Sequence, residues 1–269
     1  MKKLLVLPAA LLVSSSVSSC TVMDVVGPRA NGEIMSLAKQ ASADWVWSED
    51  QNAWADLRKF QSEQLQDEAL RLCGTDETGQ TPQSCNVGYG DTDLPAAADA
   101  AALLEHTVTA ADKVPDDSVD LVVAQAIDAL ALAPVELSIE GPITNDASLQ
   151  AATDLLAAEN AMDYGLGIAL AYADGALRTR IVDLREASHE RTEVLTGMLT
   201  EVLSEDLAPA AGYTFAEGYA EPTTTQEATE LVETMHSDLV KQWRLAAADA
   251  ESKPWRTAAI QLAAHAQRA

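Results

Sequence analysis

Leu155-Leu156-Ala157-Ala158-Glu159-Asn160-Ala161-Met162-Asp163-Tyr164 lies inside a segment, 147 to 174, whose apolar residues recur at helical spacing. At roughly 100° per residue, Leu149, Ala152, Leu156, Leu166 and Leu170 fall on one stripe. Glu159 falls near the centre of that stripe, with Asp163 close by. An apolar stripe has to be covered by neighbouring helices, and a carboxylate on it needs a partner there. Placing the next turn at Asp174-Gly175 puts Arg191 at the same height on the facing helix, so the reading is a buried ion pair between Glu159 and Arg191. Arginine suits the role because its planar fork donates two bonds to one carboxylate and keeps its charge.

Outward from this hairpin almost every segment reads as helix. The stripe of 176 to 206 is Leu177, Ile181, Leu184, Leu195, Leu199 and Val202. That of 222 to 251 is Ala228, Leu231, Val232, Met235, Leu239 and Ala246, and that of 254 to 268 is Trp255, Ala258, Ala259 and Leu262. Upstream, helices are expected at 31 to 45, 48 to 73, 95 to 114 and 117 to 138. Asn31 and Ser48 are placed as caps, and Asp116 or Asp117 after Pro115 as a start. No stretch alternates apolar and polar residues as a half-buried strand would, so the fold class is all-α. Gly141-Pro142 cannot continue a helix, which makes 139 to 146 the internal boundary between an N-terminal helical region, 31 to 138, and a C-terminal bundle, 147 to 268.

The start of the chain speaks for location. Met1-Lys2-Lys3, an apolar run from Leu4 to Val13 and the small residues before Cys20 make a secretory signal of 19 residues, too short to remain as a membrane span. Val17-Ser18-Ser19-Cys20 resembles a bacterial lipobox. That resemblance implies lipidation of Cys20, a tether over 20 to 30 and a mature chain anchored on the extracytoplasmic side of the cell membrane. Diacylglycerol supplies the two acyl chains that stable anchoring takes. Removing Lys2 and Lys3 with the signal leaves 15 basic against 42 acidic residues, a net of −27. Such a chain repels nucleic acid and anionic headgroups, so nucleic acid is excluded as a partner and membrane attachment rests on the lipid. With Cys20 lipidated, Cys73 and Cys85 are the remaining pair, and an oxidising compartment favours a disulfide between them.

The C-terminal half carries a family likeness. The decapeptide above, His189-Glu190-Arg191-Thr192-Glu193-Val194-Leu195, the connector from Gly212-Tyr213 to Glu221-Pro222 and Leu231-Val232-Glu233 resemble the uncharacterised ferritin-like lipoproteins of actinobacteria, a domain-of-unknown-function family, over about 147 to 268. The resemblance implies a ferritin-like four-helix bundle, preceded here by about four helices, with no established activity.

Ferritin-like bundles raise the question of a di-metal carboxylate site, in which Glu residues and Glu-x-x-His pairs point inward from four helices. The candidate ligands for iron or another divalent metal are Glu159, Glu186, His189, Glu233 and His236. Facing speaks against them: Glu186 lies nearly opposite its stripe, His189 on the flank, Glu233 off the seam and His236 at its edge. Ser188, Arg191 and Thr192 fall inside or beside the stripe instead. No nucleophile elbow, phosphate loop or His-Glu-x-x-His is present, so no catalytic residue is assigned. Trp45, Trp47 and Trp54 cluster within ten residues and are candidates for core packing or a partner or ligand surface. Glu105 and His106 read as solvated or capping. The reading is a lipid-anchored, non-catalytic binding or scaffolding module of the cell envelope without a cofactor, its protein or small-molecule partner unknown; the alternative is a di-metal carboxylate protein with oxidase or metal-binding activity.

Overall fold

The computed structural model describes residues 27–46, 53–88, 94–97, 99–137, 143, 145–200, 202, 207, 209–210 and 212–269. The signal, Cys20, Trp47 and Ser48 lie outside the described residues. Those described form eight α-helices and no strand: α1 Gly32–Val46, α2 Ala53–Cys73, α3 Ala100–Ala110, α4 Val119–Leu130, α5 Asp146–Ala169, α6 Gly175–Thr200, α7 Thr225–Ala248 and α8 Lys253–Arg268. The chain is all-α, as the periodicity predicts.

The helix starts follow from local chemistry. The Asn31 carboxamide accepts from the Glu33 and Ile34 amides, satisfying two of the donors that open α1. Asn145 caps α5 through the Ser148 amide, and Asp174 caps α6 through the Leu177 amide. At α7 the Thr224 hydroxyl accepts from the Glu227 amide while the Glu227 carboxylate accepts from Thr223, a reciprocal capping box. Ser252 caps α8, with Pro254 in the first turn where its missing N–H costs nothing. Two expectations need correction. α4 ends at Leu130 rather than 138, because Pro134 disfavours helix at Ala133 and cannot itself continue one. α3 begins at Ala100 rather than 95, where the Asp99 carboxylate accepts from the Ala102 amide.

α5 and α6 form a hairpin, as do α7 and α8. The Thr225 hydroxyl at the start of α7 donates to the Tyr172 carbonyl at the α5–α6 turn, 2.8 Å away. α7 therefore begins at the same end as α6, so the ends that the connection joins, Thr200 and Thr225, are separated by the length of α6, roughly 39 Å at 1.5 Å per residue for its 26 residues. The order of directions is up, down, down, up.

Helices on both sides of residues 139–146 contribute to one core. Leu104 and Val108 of α3, Val123 and Ile127 of α4, and Leu156, Leu195, Leu239 and Leu262 of the bundle belong to one buried cluster. Arg244 of α7 donates to Asp128 of α4 at 2.7 Å, and Gln267 of α8 reaches the same oxygen at 3.0 Å. A second, smaller core holds Ile34, Ala38 and Ala41 of α1 against Leu65 and Ala69 of α2, closed by Val114 and Val122. Cys73 and Cys85 are joined, with Cα atoms 6.2 Å apart. Closing so short a loop contributes about 2 to 3 kcal/mol through the restricted unfolded chain.

Candidate functional site

The centre of the bundle is a buried charge rather than an apolar layer. Glu159 of α5 has no solvent exposure and Arg191 of α6 has 1 %. Arg191 Nε donates to Glu159 Oε1 at 2.6 Å and its Nη2 to Oε2 at 3.0 Å, a forked contact. Ser188, one turn before Arg191, donates its hydroxyl to Oε2 at 2.6 Å. Trp243 Nε1 of α7 donates to Oε1 at 2.7 Å. Four donors from two other helices thus saturate one carboxylate, which is what a buried charge requires to be tolerated.

The network continues outward. Arg191 Nη1 lies 3.2 Å from His265 Nδ1 on α8, and His265 Nε2 lies 2.9 Å from Glu190 Oε2 at the surface. Arginine can only donate, so Nδ1 is the acceptor and Nε2 carries the proton toward Glu190. His236 of α7 is arranged in the same way: Nε2 faces the Ala266 carbonyl at 2.9 Å and Nδ1 faces Arg180 at 3.4 Å. Burial first, then the nearby arginine cations, hold both imidazoles below their ordinary value. A histidine held low in the folded state takes its proton later than in the unfolded chain, so its stabilising effect is full above about pH 6.5 and is lost as pH falls below that. We expect stability to decline between pH 7 and about 5.5, before the carboxylates held low by their bonds, Glu68, Asp112 and Asp238 among them, begin to act near pH 4. Denaturant unfolding across this range checks it. His236→Gln with His265→Gln flattens the slope, and an unchanged slope would contradict the assignment.

The candidate metal ligands are not brought together. Glu186, His189 and Glu233 are exposed, His236 is half-buried and engaged as above, and Glu159 has its lone pairs occupied. His189 faces only Glu193 on its own helix. Among the described residues no three His, Cys, Asp or Glu side chains form a group able to hold a metal ion. In place of a Glu-x-x-His pair, the buried face of α6 presents Ser188-x-x-Arg191, and the guanidinium supplies the positive charge beside Glu159. Glu105 and His106 are exposed. Trp45 and Trp54 are half-buried, and Lys59 and Arg58 stand over them at 5.6 and 5.8 Å, so these rings pack against cations of α2.

Beside this centre, between α5 and α7, is a cavity of about 190 Å³ roofed by residues 213–219 of the long connector. A Cβ at Gly165 would collide with Met235 Sδ, so the glycine lets that side chain lie against the α5 backbone. Tyr219 donates to Asp238 at 2.7 Å, and Lys241 donates to the other oxygen at 2.9 Å. Burial and the carboxylate push the Tyr219 phenol up to about 12, while the bonds from Lys241 and Tyr219 hold Asp238 below the usual carboxylate range.

These four helices, with their saturated centre and long return, coincide with a recognisable unit. Residues 151–269 match DUF4439, a domain of unknown function. No curated protein and no solved structure matches the chain. The DUF4439 match begins within α5 and takes in Glu159, Ser188, Arg191, Trp243 and His265 together, so the whole buried network lies inside it. It leaves out α3 and α4, whose apolar faces complete the core of the DUF4439 helices.

Proposed function

We propose that this protein is a ferritin-like lipoprotein held on the extracytoplasmic face of the cell membrane, related to the actinobacterial lipoproteins it resembles, and that it acts as a non-catalytic binding module. The observation that carries the non-catalytic part is the Glu159 centre. Its carboxylate is committed to Ser188, Arg191 and Trp243, so it has no lone pair left for a metal or for proton transfer to a substrate. The up-down-down-up order with one long crossover supports the ferritin-like part, since ferritin-like bundles differ from simple up-and-down bundles by such a crossover. For the anchor, the support is the Val17-Ser18-Ser19-Cys20 motif after an apolar run. No helix among the described residues is long and apolar enough to cross a membrane.

Cys20→Ala is expected to release the protein from the membrane fraction or to block its processing. Retention in the membrane after normal processing to the mature size would exclude the acyl anchor. The same preparation of the unaltered chain, from cells grown in iron-replete medium, should carry no stoichiometric metal. Two iron atoms per chain would instead establish the di-metal reading.

A further inference from the structure

The chain has only twelve aromatic residues, five Trp, five Tyr and two Phe, and four of them, Tyr164, Tyr213, Phe215 and Tyr219, line the cavity between α5 and α7 under the connector. Tyr164 on α5 and Tyr213 on the connector approach to 5.3 Å between ring centroids, tilted by 49°, and Tyr164 is 41 % exposed, so this pair forms the mouth. The floor is made of small or pliant groups, among them Ala161, Gly165 and Met235, which leave room for a flat ring. At about 190 Å³ the space exceeds the roughly 150 Å³ of an apolar cavity known to accept benzene, so one ring with a short chain fits.

Asp238 is the only charged side chain among the residues lining this cavity. Its internal partner is a neutral phenol, and its cationic partner, Lys241, is 66 % exposed. Exposed pairs of this kind contribute little and exchange readily. Aromatic faces carry negative quadrupole charge and favour a cation, the more so where water is excluded. The surrounding chain carries a formal charge of −25, which raises the local concentration of cations and turns anions away. We propose that the α5–α7 cavity binds a compact organic ammonium, a single ring or short alkyl body whose cationic nitrogen takes the place of Lys241 on Asp238. The proposal rests on the reading of the protein as a binding module and names its ligand class.

Calorimetric titration of the full chain in detergent tests it with three probes of one shape: phenethylammonium, the neutral phenethyl alcohol and the anionic phenylacetate. The ammonium should bind at a single site, about tenfold or more tighter than the alcohol, and phenylacetate should not bind. Asp238→Asn should bring ammonium and alcohol to within about twofold of each other, because the cavity remains while the charge is gone. Ala161→Phe should fill the space and abolish both. Lys241→Ala, an exposed change that leaves the fold untouched, should tighten ammonium binding by freeing the carboxylate. Equal affinity for ammonium and alcohol, no saturable ammonium binding, or an ammonium preference that survives Asp238→Asn would each overturn the proposal. Should the protein remain membrane-anchored and metal-free while failing these titrations, the ligand assignment falls and the anchored, non-catalytic reading stands.

Discussion

Arg191→Leu is expected to destabilise the protein by about 3 to 5 kcal/mol, and Glu159→Leu by a similar amount, because each leaves one ion uncompensated in a dry interior. The Arg191 change strands a carboxylate that still accepts from Ser188 and Trp243 but has lost its counter-charge. Glu159→Leu strands a guanidinium that retains only His265, a neutral acceptor, and orphans the Trp243 N–H as well. The double variant should recover much of the loss, since an apolar pair of similar volume removes both desolvation terms at once. A double-mutant cycle in denaturant unfolding measures the coupling. Strictly additive losses would show that the two groups act independently and would remove the argument that the pair occupies the bundle centre as a unit.

A second buried pair predicts a different kind of failure. Asp44 at the end of α1 and Arg58 on α2 are 0 % and 2 % exposed and meet at 2.7 Å. Asp44 also accepts from Gln40 at 2.8 Å and from the Ala97 amide at 2.7 Å, so it ties α1, α2 and the segment before α3 together. Burial lowers the Arg58 guanidinium from its ordinary value, against the attraction of Asp44. Asp44→Leu leaves that cation buried, and a loss of about 3 to 5 kcal/mol is expected. This hairpin has its own small core, so the damage should be local: amide exchange should quicken in α1 and α2 while α5 to α8 stay protected. Uniform loss of protection along the chain would mean that the hairpin and the bundle unfold as one cooperative unit.

The contrast between these pairs shows what was legible in the sequence. Glu159 stood out because it interrupts a clean apolar stripe, and Arg191 could be matched to it because the tight turn at Asp174-Gly175 sets the register of the two helices. Exposure of Glu186 and Glu233 was readable from facing angles, against the temptation of their spacing to His. Ser188 fell on the inward face by the same arithmetic, yet a serine there carries no signal without a partner. Trp243 is 84 residues from Glu159, and nothing local says that an indole N–H should meet that carboxylate. Asp44 was missed for the same reason: its partners come from three segments, one of them a backbone amide in an irregular stretch. The α5–α7 cavity was invisible because five of its fourteen lining residues belong to the connector 213–219, whose position is set by tertiary packing and not by periodicity.

The shared core gives the match over 151–269 an uneven footing. What a profile recognises as a recurring unit is a stretch of heritable sequence, whereas water recognises only whether an apolar face is covered. Without Leu104, Val108, Val123 and Ile127, α7 and α8 would show their outer flank to solvent, and Arg244 and Gln267 would look like surface decoration with no acceptor. Cutting the chain to residues 151–269 therefore removes the cover of that flank while keeping every partner of Glu159, namely Ser188, Arg191 and Trp243.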